Sequence, residues 1–129
     1  MPDPIFFLSH FRIKEGQLDT VKQLTSEVAA RLEAEKPRTA VFLSYVDGDG
    51  GTISFVHGFT DAESMDLHIA GADERSRAAF QYIEPLGWEV YGNPSPEAME
   101  TLRRAADSSG VPLARHPEYL AGFLRLEHG

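Results

Sequence analysis

Five histidines, four tyrosines and a single tryptophan are the side chains best suited to chemistry in this 129-residue sequence. Histidine changes charge near neutral pH, so it can take or give a proton, or bind a metal as the neutral imidazole. His10 and His57 fall in strand-like runs, His68 in a helix-like run, His116 in the C-terminal tail and His128 at the frayed end. Two strand histidines and one on a covering helix can converge in a pocket. His57 and His68 are the catalytic candidates, as an acid/base pair. No H-x-x-x-H or H-x-H spacing occurs and no carboxylate stands at ligand spacing to these histidines, so a metal is not expected. Tyr45, Tyr82, Tyr91 and Trp88 each join an apolar body to a polar tip, which suits a pocket for a flat organic ligand. Tyr45, Tyr91 and Trp88, with His10, are the candidate substrate-binding residues. Against this stands a plainer reading, in which a strand histidine tops a core or faces a solvent edge and the aromatics are core.

Other chemistries are excluded residue by residue. The sequence has no cysteine, so disulfides, thiolate zinc sites and thiol nucleophiles are out. Asp47-Gly48-Asp49-Gly50 starts like a calcium loop, but its twelfth position is Gly58 where a glutamate is needed. Gly48-Asp49-Gly50-Gly51 lacks the lysine and hydroxyl residue of a phosphate loop and opens no helix. No serine sits in a nucleophile elbow. Glu33 and Glu35 read as a solvated helix face. The net charge of −8 argues against nucleic acid and anionic membrane partners. No basic stretch precedes the short apolar run Ile5 to Leu8, and no run approaches membrane-spanning length, so a cytoplasmic protein is the expectation.

The elements that must hold these residues follow from periodicity. A first strand runs from about Ile5 to Ile13. Leu18, Val21, Leu24, Val28 and Leu32 form one helical stripe, placing a helix over Gln17 to Glu35 that Pro37 ends. Strands over Thr39–Val46 and Thr52–Phe59 flank the hairpin signal Asp47 to Gly51. Thr60 and Glu63 form a capping box for a second helical region from Asp61 to about Ile83, broken at Gly71-Ala72-Asp73, with Asp73 capping the second piece. Pro85-Leu86-Gly87 turns the chain into a fourth strand, Trp88 to Gly92. Ser95 and Pro96 open a third helix that ends near Gly110. A short strand is expected over Gly122 to Leu126. The order β-α-β-β-α-β is that of a ferredoxin-like α+β sheet with helices on one face. Residues 1–93 make up this domain, and residues 94–129 a C-terminal helical arm and tail.

The strands are apolar on both sides. Ile5, Phe7, Phe11 and Ile13 oppose Phe6 and Leu8; Val41, Leu43 and Tyr45 oppose Ala40, Phe42 and Val46; Ile53, Phe55 and Phe59 oppose Val56. An antiparallel sheet with one wet face alternates apolar and polar residues instead. Two helices cover one face only, so a second copy of the chain is expected to cover the other, giving a homodimer. Phe123, Leu124 and Leu126 also need burial, so the tail is expected to dock on the core or on that partner.

The segment Thr52-Ile53-Ser54-Phe55-Val56-His57-Gly58-Phe59-Thr60-Asp61-Ala62-Glu63-Ser64, followed by His68 and the small-residue break Gly71-Ala72-Asp73, resembles the central stretch of the antibiotic biosynthesis monooxygenase family. The resemblance spans roughly residues 5 to 92. It implies the dimeric α+β barrel, in which two ferredoxin-like sheets pack face to face. It also implies that His68 borders a ligand cavity. His57 stands where many members carry a glutamate. Trp88 lies on the fourth strand, whereas the oxygenase subgroups place a tryptophan near the end of the third strand or on the second helix. Ser9 and His10 stand where the haem-degrading subgroup has an asparagine. The function that follows is a cofactor-independent monooxygenase acting on a small aromatic or quinone-like molecule. The alternative is a non-catalytic small-molecule-binding or dimeric assembly module on the same fold.

Overall fold

The computed structural model describes residues 3–126, the side chain of Asp73 excepted. Its elements are β1 (Ile5–Ile13), α1 (Leu18–Glu35), β2 (Val41–Val46), β3 (Thr52–Phe59), α2 (Ala62–Ile69), α3 (Ala72–Ala79), β4 (Ile83–Tyr91), α4 (Pro96–Ser109) and β5 (Leu113–His116). The strands form one mixed sheet in the order β2-β3-β1-β4-β5. The first four are the antiparallel ferredoxin-like set, and β5 adds in parallel beside β4. All four helices belong to one α+β layer arrangement, with the core between them and the sheet.

Alternation along each strand decides which face is core. Ile5, Phe7, Ser9, Phe11 and Ile13 of β1 are buried, whereas Phe6, Leu8 and His10 between them are only half-buried. Ile53, His57 and Phe59 of β3, and Trp88 and Val90 of β4, complete the covered face. On the other face Leu43, Tyr45 and Tyr91 are 44%, 59% and 37% exposed. That face is apolar and open, as the two-sided pattern demands. Gly58 belongs to it. A side chain there would run into Phe6 and Val41 from the two neighbouring strands, with contacts of 2.7 and 2.9 Å.

Several boundaries differ from the sequence reading. The cap of α2 is Asp61, whose Oδ1 accepts from the backbone N–H of Ser64 at 2.8 Å, one residue beyond Thr60. The break before α3 is where the glycine predicts it. However, Gly71 itself, at φ +83°, is the capping residue, and Asp73 falls inside the helix. β4 starts five residues before Trp88. Pro85-Leu86-Gly87 is not a turn but a bulged stretch of strand, with the register against β1 shifting between His10 and Phe11. Leu86 is the residue the bulge leaves unpaired, and Pro85 lies where β4 is still an edge strand, before β5 joins at Trp88, a place that tolerates a missing N–H. The extra strand is Leu113–His116, not Gly122 to Leu126, which carries no regular structure. His128 lies outside the described residues. The third helix is where its signals put it, with Ser95 accepting from the Ala98 N–H and Gly110 ending it in the left-handed region. Ala98, Leu102 and Ala106 of this helix are buried in the core.

Candidate functional site

The site begins with one small residue in a row of large ones. Ser9 lies between Phe7 and Phe11 on the covered face of β1, and the ladders set it opposite Phe55 on β3 and Trp88 on β4. A serine ringed by aromatics leaves a hollow in the sheet. The helices do not fill it, although Val21 of α1, Met65 of α2 and Leu102 of α4 reach the core around it. The result is a cavity of about 240 Å³, floored by the sheet and roofed by Leu24 and Val28 of α1, Ser76 and Ala79 of α3 and Leu102 of α4.

Its walls are aromatic. Phe11 meets Trp88 edge to face with centroids 6.1 Å apart, and Phe42 stacks on Phe55 at 5.8 Å. His57, on β3, lies flat on Phe7 with centroids 4.0 Å and planes 3° apart. Its Nδ1 makes a long 3.4 Å contact with the Phe7 carbonyl. His68 comes in from α2, and its ring meets that of His57 edge to face at 5.1 Å. The Thr39 hydroxyl, just before β2, is hydrogen-bonded to His68 Nδ1 at 2.7 Å and fixes that ring.

Both imidazoles are held neutral. Burial pushes His57 down to about 3, helped by His68, and the weak bond to Phe7 opposes this only in part. Burial pushes His68 down to about 4, with Arg75 and Lys36 adding to the effect. A charged imidazole in an apolar enclosure loses its hydration without gaining a counter-ion, so the neutral form wins.

Four side chains at the cavity have polar atoms to spare. Ser9, His57, His68 and Trp88 are 3%, 8%, 4% and 8% exposed. The Ser9 hydroxyl, the Trp88 indole N–H and Nε2 of each imidazole have no hydrogen-bond partner among the described residues. No sealed side-chain polar atom there lacks a partner, so these four atoms are not shut off from solvent, and the side chains that carry them line the cavity. Buried polar groups are almost always paired. Unpaired donors and acceptors converging on one aromatic hollow are what a ligand or ordered water would satisfy.

The structure therefore brings His57, His68 and Trp88 together. It places Tyr45, Tyr91 and His10 on the open face of the sheet, away from the cavity. There His10 bridges Ser54 Oγ at 2.8 Å and Glu89 Oε1 at 2.6 Å. Tyr91 stacks on His116 of β5 at 4.6 Å. Among the described residues no three histidine, aspartate or glutamate side chains gather as metal ligands. No helix is long and apolar enough to cross a membrane.

Two residues escaped sequence reasoning. Ser9 was legible as the one small member of the inner stripe of β1. Arg75 lines the cavity from α3, and its Nη2 donates to the His68 carbonyl at 2.7 Å. No periodicity carries that contact, because Gly71 ends one helix between His68 and Arg75 and starts another in a new direction.

The fold and cavity can be set beside solved structures. The fold is that of antibiotic biosynthesis monooxygenase-type proteins. MupZ from Pseudomonas fluorescens superposes with a TM-score of 0.71 at 17% identity, over 95% of each chain. A Deinococcus radiodurans protein named as an antibiotic biosynthesis monooxygenase gives 0.60 at 15% identity, over 70% of this chain and 93% of its own. Rv0793 from Mycobacterium tuberculosis gives 0.58 at 14% identity, over 72% and 97%. MupZ thus matches the length that includes α4 and β5, whereas the other two match a share about the size of the ferredoxin-like part. No protein-family model and no curated protein sequence matches the chain.

Proposed function

We propose that this chain is a cofactor-independent monooxygenase that takes a small aromatic or quinone-like molecule into the cavity between sheet and helices. The carrying observation is that four side chains with an unpaired polar atom, Ser9, His57, His68 and Trp88, line one hollow walled by phenylalanines. A flat ring fits between such walls, and its oxygens answer the free donors and acceptors. In the reaction, His68 or His57 takes a proton from a phenolic or enolic substrate. The resulting anion gives electrons to dioxygen. One oxygen atom replaces the two hydrogens of a ring methylene, and the other leaves with them as water. The base must come within about 3 Å of its proton, directly or through one water.

The open sheet face supports a second element of the reading. A second copy covers it, and Tyr45, Tyr91 and His10 then line the space between the two sheets. Residues 1–93 form the unit that pairs, and the arm from residue 94 onward adds α4, β5 and the tail to it.

One observation favours a different reading. Imidazoles held at about 3 and about 4 are weak bases, which suits a module that binds its ligand without turning it over. An oxygen electrode separates the two. With an anthrone, which carries the ring methylene the step requires, an oxygenase consumes oxygen and loses that turnover in His68→Ala while the far-UV spectrum is kept. No uptake, together with a melting temperature raised by the same compound, assigns the binding module. Uptake unchanged in His68→Ala removes the histidine from the chemistry.

A further inference from the structure

One formal charge lines the cavity, and it is positive. The chain carries 20 acidic and 12 basic residues, yet no carboxylate is among the described residues around the hollow, whereas Arg75 is. A guanidinium has five N–H donors. Arg75 directs Nη2 to the His68 carbonyl at 2.7 Å and Nη1 to the Ala70 carbonyl at 3.4 Å, closing the end of α2. That leaves three donors. No described carboxylate forms an ion pair with it. Glu35 of α1 acts on it only through space, and burial together with Arg31 outweighs that, pulling its affinity for the proton below the ordinary value. Arg75 nevertheless stays charged at neutral pH. A half-buried cation with no described carboxylate paired to it is costly, and a partner anion in the same enclosure offsets that cost.

We propose that the ligand of this cavity carries an acidic oxygen (a carboxylate, or a phenol or enol that ionises readily) and that Arg75 is its counter-cation. This rests on the reading of the cavity as a small-molecule site and narrows the ligand class. The neutral histidines point the same way. As weak bases they need an acidic substrate, and a cation beside the acidic oxygen loosens its hold on the proton, so that a weakly basic histidine can take it. Ser9 and Trp88 supply donors at the floor, Arg75 the charge at the α3 side. A lysine would bring the charge without the planar fork that suits a carboxylate.

The test uses naphthalene carboxylate and its uncharged carboxamide, which share ring and shape, titrated calorimetrically into the full chain at neutral pH. The wild type is expected to bind the carboxylate about tenfold or more tighter than the amide. Arg75→Met is expected to abolish that preference, the carboxylate losing far more affinity than the amide, and Arg75→Lys to restore part of it. Equal affinity for the two probes in the wild type overturns the inference while leaving the cavity a binding site. A preference that survives in Arg75→Met, with both affinities reduced together, overturns it too, since Arg75 then only closes α2. Binding of neither probe defeats both the inference and the site on which it rests.

Discussion

His57 and His68 meet edge to face with ring centroids 5.1 Å apart, one on a strand and the other on a helix, and among the described residues neither has a carboxylate at hydrogen-bond distance. Their neutrality links folding to pH. Both imidazoles fall from an ordinary 6.5, to about 3 and about 4. The unfolded chain therefore binds more protons between these values, and stability is greatest above 6.5 and declines as the pH falls. At pH 5 each histidine is expected to cost about 2 kcal/mol, at 1.36 kcal/mol per unit. Urea unfolding at pH 7 and pH 5 measures this. His57→Phe, which keeps the stack on Phe7, is expected to flatten the decline by about half. An unchanged slope in that variant would mean that His57 titrates normally.

Ser9 makes the cavity, so a larger residue there should close it. Ser9→Leu places an apolar side chain in an apolar hollow, with room to spare at about 240 Å³. Stability is expected to change by less than about 1 kcal/mol in either direction. A loss of several kcal/mol in urea unfolding would show that the space is already filled in solution.

The tail and the open face make a separate expectation. Leu120, Phe123 and Leu126 are 88%, 79% and 82% exposed, so they add almost nothing to the subunit itself. If a second copy covers the open face, these side chains are placed to extend the contact. Deletion after Glu118 is expected to weaken self-association in sedimentation equilibrium and to leave unfolding of the dilute subunit unchanged. Deletion after Asn93 also removes Ala98, Leu102 and Ala106 from the core and is expected to destabilise the subunit by several kcal/mol. A chain that sediments as one subunit at all concentrations contradicts the pairing.

Much of this was legible in the residues. The inner stripe of β1, the stripe of α1 and the Ser95-Pro96 opening of α4 are period signals and caps, which local chemistry dictates. The two-sided strands showed that one face of the sheet would remain open. The strand Leu113–His116 was hidden because only Leu113 is apolar and half-buried; it exists by pairing with β4, a contact distant in sequence. Pro85 hid the start of β4 because it lies on a stretch that is an edge until β5 joins at Trp88, which only the registers with β1 and β5 reveal. The same limit applied to the site. His57, His68 and Trp88 could be nominated by type, but which face each strand shows to the helices decides that Tyr45, Tyr91 and His10 lie across the sheet. Arg75 needed the break at Gly71 to bring it back over His68.

Trp88 is the chain's one tryptophan and lines the cavity, so its fluorescence reports occupancy directly. Naphthoquinone quenches indole emission and, with no cysteine present, has no thiol to attack. The expected result is quenching that saturates at one quinone per chain and is lost in Ser9→Leu. Quenching that rises linearly without saturation, equally in the wild type and in Ser9→Leu, would contradict a ligand site between the sheet and its helices.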